Sequence, residues 1–172
     1  MNLYICEICG DAYIGSGKPS DCPFCGAKEG FIKLGAEAQP IAEIKTEISE
    51  LSKKNLIETL ALETRANVIY LCMAGEAKDY QIMKMYKRLA KVELEHAIIA
   101  TKLLNISMPE IKPENCSSED LENFKKTIEL EDHAVEIYKK FTAESSEAHI
   151  RKFFGAIMQA EMGHIELIKK FL

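Results

Sequence analysis

The most restrictive feature of this 172-residue chain is an internal repeat. At a shift of 68 residues, Leu62-Glu63-Thr64-Arg65-Ala66-Asn67-Val68-Ile69-Tyr70 lies over Leu130-Glu131-Asp132-His133-Ala134-Val135-Glu136-Ile137-Tyr138, and Glu93-Leu94-Glu95-His96 lies over Glu161-Met162-Gly163-His164. Each half carries a Glu followed thirty residues later by Glu-x-x-His. Self-similarity at a fixed shift marks a duplicated structural unit. Whatever one half builds, the other is expected to build again.

Periodicity makes each unit a pair of helices. Ser52 predicts an N-cap for a first helix reaching about Gly75, and Asp79 one for a second reaching about Leu104. The stretch Asn105 to Ser117 holds Pro109 and Pro113 and cannot be a continuous helix. Ser118 predicts the start of a third helix, with Glu119 and Asp120 favourable in its first turn. Ser145 and Ser146 interrupt it, and a fourth helix is expected from about Glu147 to the end. The first-to-second and third-to-fourth links are short, so each pair is an antiparallel hairpin. The middle link of thirteen residues reaches about 43 Å at ~3.3 Å each, against about 38 Å for a 25-residue helix. It can cross the bundle once. The expected fold is therefore mainly α, a ferritin-like four-helix bundle with one long crossover.

Helical spacing also says where the repeated polar residues point. Ile82, Met85 or Tyr86, Leu89, Glu93, His96, Ala100 and Leu103 share one stripe; so do Phe154, Ile157, Glu161, His164 and Ile168. Leu56, Glu63, Ala66 and Tyr70 mark the first helix, and Phe124, Ile128, Glu131, Val135 and Tyr138 the third. A single Glu-x-x-His would read as a surface ion pair. Two copies on core-facing stripes, each matched to a core-facing Glu, read as a site made of Glu63, Glu93, His96, Glu131, Glu161 and His164. Four carboxylates buried together resist ionisation unless cations neutralise them, and two divalent irons would. This is the ligand set of known ferritin-like di-iron and di-manganese bundles. Tyr70 and Tyr138 lie two turns beyond Glu63 and Glu131. Each hydroxyl wants a partner, which a carboxylate of the facing hairpin could supply; the plainer reading is a core aromatic. His133, His149, Glu95, Glu129, Glu136 and Glu166 read as solvated surface.

Ahead of the bundle the composition changes near residue 35. Gly10, Gly15, Gly17, Pro19, Pro23, Gly26 and Gly30 crowd a stretch too short to stabilise itself by core burial, so a metal staple is expected. Cys6/Cys9 and Cys22/Cys25 form two Cys-x-x-Cys pairs, with strands expected at Leu3–Ile5 and Phe31–Leu34. Residues 1–35 are expected to form this four-cysteine module, rubredoxin-like in its spacing, 36–51 a linker and 52–172 the bundle. Soft thiolates suit iron or structural zinc. Spacing alone favours zinc, and the attached bundle tips the balance to iron. Cys72 and Cys116 read as a small buried hydrophobe and an ordinary loop thiol.

Net charge is −5, with 47% hydrophobic and 28% charged residues and no block of Lys and Arg. A nucleic-acid or membrane partner is not expected. No secretory or membrane-spanning segment is legible, so a cytoplasmic location is expected, where Cys-x-x-Cys pairs argue for metal over disulfides.

Cys6-Glu7-Ile8-Cys9-Gly10, Gly15-Ser16-Gly17-Lys18-Pro19 and Cys22-Pro23-Phe24-Cys25-Gly26 resemble the short rubredoxin-type domain of rubrerythrins. Ser52-Lys53-Lys54-Asn55-Leu56 with Glu63 to Tyr70 is similar to the start of their di-iron bundle. Rubredoxin piece first is the order of reverse rubrerythrins. The resemblance implies a non-haem peroxidase reducing hydrogen peroxide to water, with Glu93 and Glu161 bridging the irons. Electrons would come singly through the four-cysteine iron from an external donor such as rubredoxin or an NAD(P)H-dependent reductase. The alternatives are an oxygen-reducing ferroxidase or iron-handling protein, and a non-enzymatic module with a zinc knuckle. The family also implies a homodimer or larger assembly, with the four-cysteine centre reaching a neighbouring subunit's bundle. It carries a further carboxylate one turn after the third-helix Glu, exchanged for a histidine on redox change. Ala134 stands there, implying a more symmetric site with His96 and His164 both permanent ligands.

Overall fold

The computed structural model describes residues 1–44 and 46–172; Lys45, inside the expected linker, lies outside the described residues. The N-terminal module is a three-stranded antiparallel sheet in the order β2-β1-β3, with β1 at Asn2–Cys6, β2 at Ala12–Gly15 and β3 at Ile32–Leu34. β1 and β3 pair as expected, Tyr4 opposite Leu34. β2 is an addition to the sequence reading, because the surrounding glycines mask so short a strand. Each cysteine pair closes a tight turn in which a glycine N–H returns to the first cysteine's carbonyl, Gly10 to Cys6 at 2.8 Å and Gly26 to Cys22 at 3.0 Å. Both glycines have positive φ, 85° and 73°, where a Cβ would be strained.

Two 3₁₀ turns, Gly35–Glu37 and Ile41–Glu43, lead towards the bundle. Its helices are α1 Glu50–Glu76, α2 Tyr80–Leu104, α3 Asp120–Glu144 and α4 Ala148–Ile168. Asp79 caps α2 as expected, accepting from the N–H of Gln81 and Ile82. The cap of α1 is Ser49 rather than Ser52; the Ser49 side chain accepts from the Ser52 N–H. Ser52 is instead buried within the first turn, and its hydroxyl donates to Glu147 at the start of α4, 2.6 Å away. Glu119, not Ser118, precedes α3. There Ser117 organises the entry, its Oγ accepting from the Glu119 N–H and its carbonyl from Asn123.

The bundle's apolar side chains divide into two groups. Leu56, Leu60, Ile99, Phe141 and Phe154 belong to one, which continues into the module through Ile8, Ala27 and Ile32. Ile69, Met73, Tyr86, Leu89, Phe124 and Ile168 form the other. The repeated carboxylates and histidines lie between them in sequence along every helix.

Four further contacts correct or complete the sequence reading. Cys72 on α1 and Cys116 in the crossover are joined as a disulfide, not a buried hydrophobe and a free loop thiol. The returning crossover brings together residues 44 positions apart that share no local pattern. His149 is only 9% exposed, so it is not a surface group; burial lowers its pKa. Glu95 is half-buried beside Cys9 and Asp11 rather than on a solvated face. The module docks on its own chain's bundle. Lys152 on α4 pairs with Glu7 at 2.7 Å, and Arg88 on α2 donates to the Pro23 and Phe24 carbonyls. Among the described residues no helix is long and apolar enough to cross a membrane.

Candidate metal centres

The four module cysteines are buried, with ligand atoms all within 4.8 Å of one another. Cys6 Sγ lies 3.7 Å from Cys25 Sγ, and Cys9 Sγ lies 3.7 Å from Cys22 Sγ. A disulfide would need about 2.0 Å. Four thiolates about 2.3 Å from a central ion at tetrahedral angles stand about 3.8 Å apart. The sulfurs thus fit a metal cage. The Asp11 N–H points at Cys9 Sγ from 3.5 Å, offering partial positive charge to a thiolate.

The second centre lies inside the bundle. Glu63, Glu93, His96 and Glu161 form one buried group of four; Glu93, Glu131, Glu161 and His164 form another. Glu93 and Glu161 belong to both, and their two oxygens divide between the halves. Glu161 Oε1 stands 3.1 Å from His96 Nδ1 while Oε2 stands 2.8 Å from His164 Nδ1. Glu93 Oε2 stands 3.3 Å from His96 Nδ1 and Oε1 3.2 Å from His164 Nδ1. Glu63 adds to the His96 side at 3.5 Å and Glu131 to the His164 side at 3.4 Å. All six residues named from the repeat are brought together. The tyrosines also reach across the bundle: Tyr70 Oη donates to Glu131 at 2.6 Å, and Tyr138 Oη donates to Glu63. His133 stays exposed and outside the ligand groups.

Charge in this interior is heavily redistributed. Burial pushes Glu63 up to about 8 against the pull of His96. Burial, reinforced by Glu161 and Glu93, lifts Glu131 well above the carboxylate range. Burial resists charge on His96 and His164, yet the surrounding carboxylates outweigh it and raise both well above the usual histidine value. It also resists ionisation of Glu93 and Glu161, but the two imidazoles hold both low. Without cations the cluster reaches neutrality only by taking up protons.

Five atoms decide whether metal fits. Glu93 Oε1, His96 Nδ1, Glu161 Oε1, Glu161 Oε2 and His164 Nδ1 are buried with no hydrogen-bond partner among the described residues. An orphaned buried polar group costs about 1–3 kcal/mol, more when charged. Here all five belong to the two converging groups, so cations can satisfy them together. Four carboxylates and two imidazoles, with two of the carboxylates shared, suit a pair of first-row divalent ions.

One contact joining the centres was not legible in the sequence. The Nε2 of His96 donates to the carbonyl of Cys25 at 2.8 Å. A carbonyl can only accept, so this contact fixes the proton on Nε2 and leaves Nδ1 for the cluster. Beside it Gly26 passes so close to α4 that a Cβ would meet the Ala160 methyl at 3.1 Å. No local pattern announces a contact between a backbone carbonyl and a histidine 71 residues apart.

Four helices with one crossover, enclosing two ligand groups that share two carboxylates, define a ferritin-like two-metal bundle, here with a four-cysteine cage docked against it. The sequence pattern of the rubrerythrin family matches residues 54–172, and the chain belongs to that family. It is 34% identical over 117 residues to Reverse rubrerythrin-1 of Clostridium acetobutylicum, a match covering 60% of this chain and 62% of the relative. The chain thus spans less than two thirds of that relative's length. The four-cysteine module ahead of the bundle is the reverse-type order. Rubrerythrins bind a di-iron centre, and the buried Glu/His cluster can hold one.

Proposed function

We propose that this protein reduces hydrogen peroxide to water at the bundle centre, with electrons delivered through the four-cysteine centre. The His96–Cys25 hydrogen bond carries the reading, because it joins a donor residue of each centre within one chain. Glu63 and His96 would hold one iron, Glu131 and His164 the other, with Glu93 and Glu161 shared; Cys6, Cys9, Cys22 and Cys25 would hold the third. When bound, the iron pair supplies two electrons to an O–O bond and the four-cysteine iron a one-electron couple that restores them.

The chain's own residues supply position and protons. Reduction of H₂O₂ to two waters takes two electrons and two protons. Tyr70 and Tyr138 keep a phenolic proton on each side of the cluster, burial holding both pKa values well above the usual phenol value. Each proton is shared with the carboxylate that the hydroxyl faces, so Glu131 and Glu63 can exchange it without bulk water. The flanking apolar groups close the two ends of the cluster along the helices. His96, its ring fixed by Cys25, presents the same nitrogen to the cluster throughout.

An external one-electron donor of the rubredoxin or NAD(P)H-dependent reductase class completes the proposed cycle. With the module on its own bundle, the relay requires no second subunit, although a homodimer or larger assembly remains the family's expectation. A second reading, an oxygen-reducing ferroxidase, is favoured by Ala134, which leaves the two ligand groups without the family's extra carboxylate. The iron-loaded protein, reduced anaerobically, should be mixed rapidly with either oxidant and followed by its visible spectrum. Faster reoxidation by peroxide than by dioxygen is expected; the reverse order removes the peroxidase assignment in favour of the ferroxidase.

A further inference from the structure

Two sides of the buried cluster differ in how they are closed. Towards α2 and α4 the Cys22–Cys25 turn covers it, through the Cys25 contact to His96 and the approach of Gly26 to Ala160. Between α1 and α3 a cavity of about 80 Å³ reaches Glu93 and Glu161, with Ala66, Tyr70, Ala134 and Tyr138 in its walls. The two alanines are mates in the 68-residue repeat. Each stands three residues after a core-facing Glu and four before a core-facing Tyr, on the same helical face. Both are half-buried, where the walls meet the surface. A leucine at either position would project three further carbons towards the cavity. Arg65 and His133, also repeat mates, line the outer part, and Glu114 of the crossover holds Arg65 Nε at 2.7 Å.

We propose that Ala66 and Ala134 act as a paired size filter, favouring small oxidants and anions such as hydrogen peroxide, dioxygen and azide over branched organic hydroperoxides on the way to the carboxylates. The space holds several water-sized groups, since about 10–15 Å³ is enough for one. Selection by size falls to the two methyl groups at the mouth, which hydrogen peroxide or dioxygen passes more readily than a branched tert-butyl group. The identity of the oxidant rests on the peroxidase reading; the filter itself rests only on the cavity.

Three measurements keep those two claims separate. Xenon-pressurised crystals of the metal-free wild type should hold xenon between Ala66 and Ala134, and Ala66→Leu and Ala134→Leu crystals should not. The iron-loaded leucine variants should keep the wild-type metal content but bind azide, read by visible absorption, at least 10-fold more slowly. The wild type should consume hydrogen peroxide at least 100-fold faster than tert-butyl hydroperoxide, and Ala134→Gly should narrow that ratio. Wild-type azide kinetics in the leucine variants overturn the filter, as does equal use of both peroxides by the wild type. A wild type that ignores every peroxide overturns the peroxidase reading instead; xenon and azide then decide the filter alone. The wild-type measurements stand even where a leucine variant does not fold.

Discussion

The α1–α2 hairpin and the α3–α4 hairpin carry the same instructions and end up with different surroundings. Each contributes a Glu, a Glu-x-x-His and a Tyr, and each Tyr serves the other hairpin's Glu. At the cluster the halves are nearly interchangeable. Beyond it they are not. His96 is sealed at 0% exposure beneath Cys25, while its mate His164 is 8% exposed and meets no such carbonyl among the described residues. Cys72 is pinned to the crossover, while the residue at the matching place in α3 is Lys140. Duplication accounts for a two-metal site of balanced ligands, and the asymmetry around it leaves one side covered by the four-cysteine module and the other facing a cavity.

The severest test of the halves' equivalence is to remove a shared ligand. Glu161→Ala strips both ligand groups, whereas Glu131→Ala strips one. Metal analysis should find the first variant depleted of both bundle ions and the second retaining about one, with affinity losses beyond the roughly 10- to 100-fold typical of outer-sphere partners. Equal depletion would mean that the carboxylates are not shared.

Next in size is the cross-link possessed by one hairpin alone. Replacing Cys72 and Cys116 together by Ser frees a 44-residue separation, worth about 4 kcal/mol in chain entropy. Thermal unfolding should fall by on the order of 10 °C, and wild type treated with a thiol reductant should approach the variant. An unchanged melting temperature would leave α3–α4 no less braced than α1–α2.

The smallest effect concerns what the two halves share. Burial pushes Glu63 up to about 8 in the folded protein, from an ordinary value of 4.5. His96, His164 and Glu131 are raised as well. Groups raised on folding stabilise the fold below their unfolded pKa, and that contribution is lost as pH climbs through the folded value. The metal-free protein should therefore melt several degrees lower at pH 8 than at pH 5. Loading with divalent metal should release roughly four protons, measured by unbuffered titration, and reverse the trend, since metal competes with protons for these ligands. A metal-free melting temperature that rises over this interval would contradict the proton-filled cluster.

How much was legible follows from the range over which each signal acts. Helix periodicity and the repeat operate over a few turns or at a fixed shift, so the four helices, the crossover and the six convergent ligands could be read from residues such as Glu93 and His96. The Cys6/Cys9 and Cys22/Cys25 spacings are likewise local. Ser49 and Ser52 are both good caps three residues apart, and only the packing of Ser52 against Glu147 selects between them. The Cys72–Cys116 bond, the burial of His149 and the seat of the module on its own bundle depend on where distant segments land. Ala134 was visible as a missing carboxylate, but its role as a cavity wall needed Ala66 beside it.

The Cys25–His96 contact makes module placement and imidazole tautomer a single variable. A chain whose first domain failed to seat would let that ring offer either nitrogen to the interior, and its ion loading would become heterogeneous. Uniform ion loading beside His96 therefore depends on the four-cysteine module being seated on the bundle.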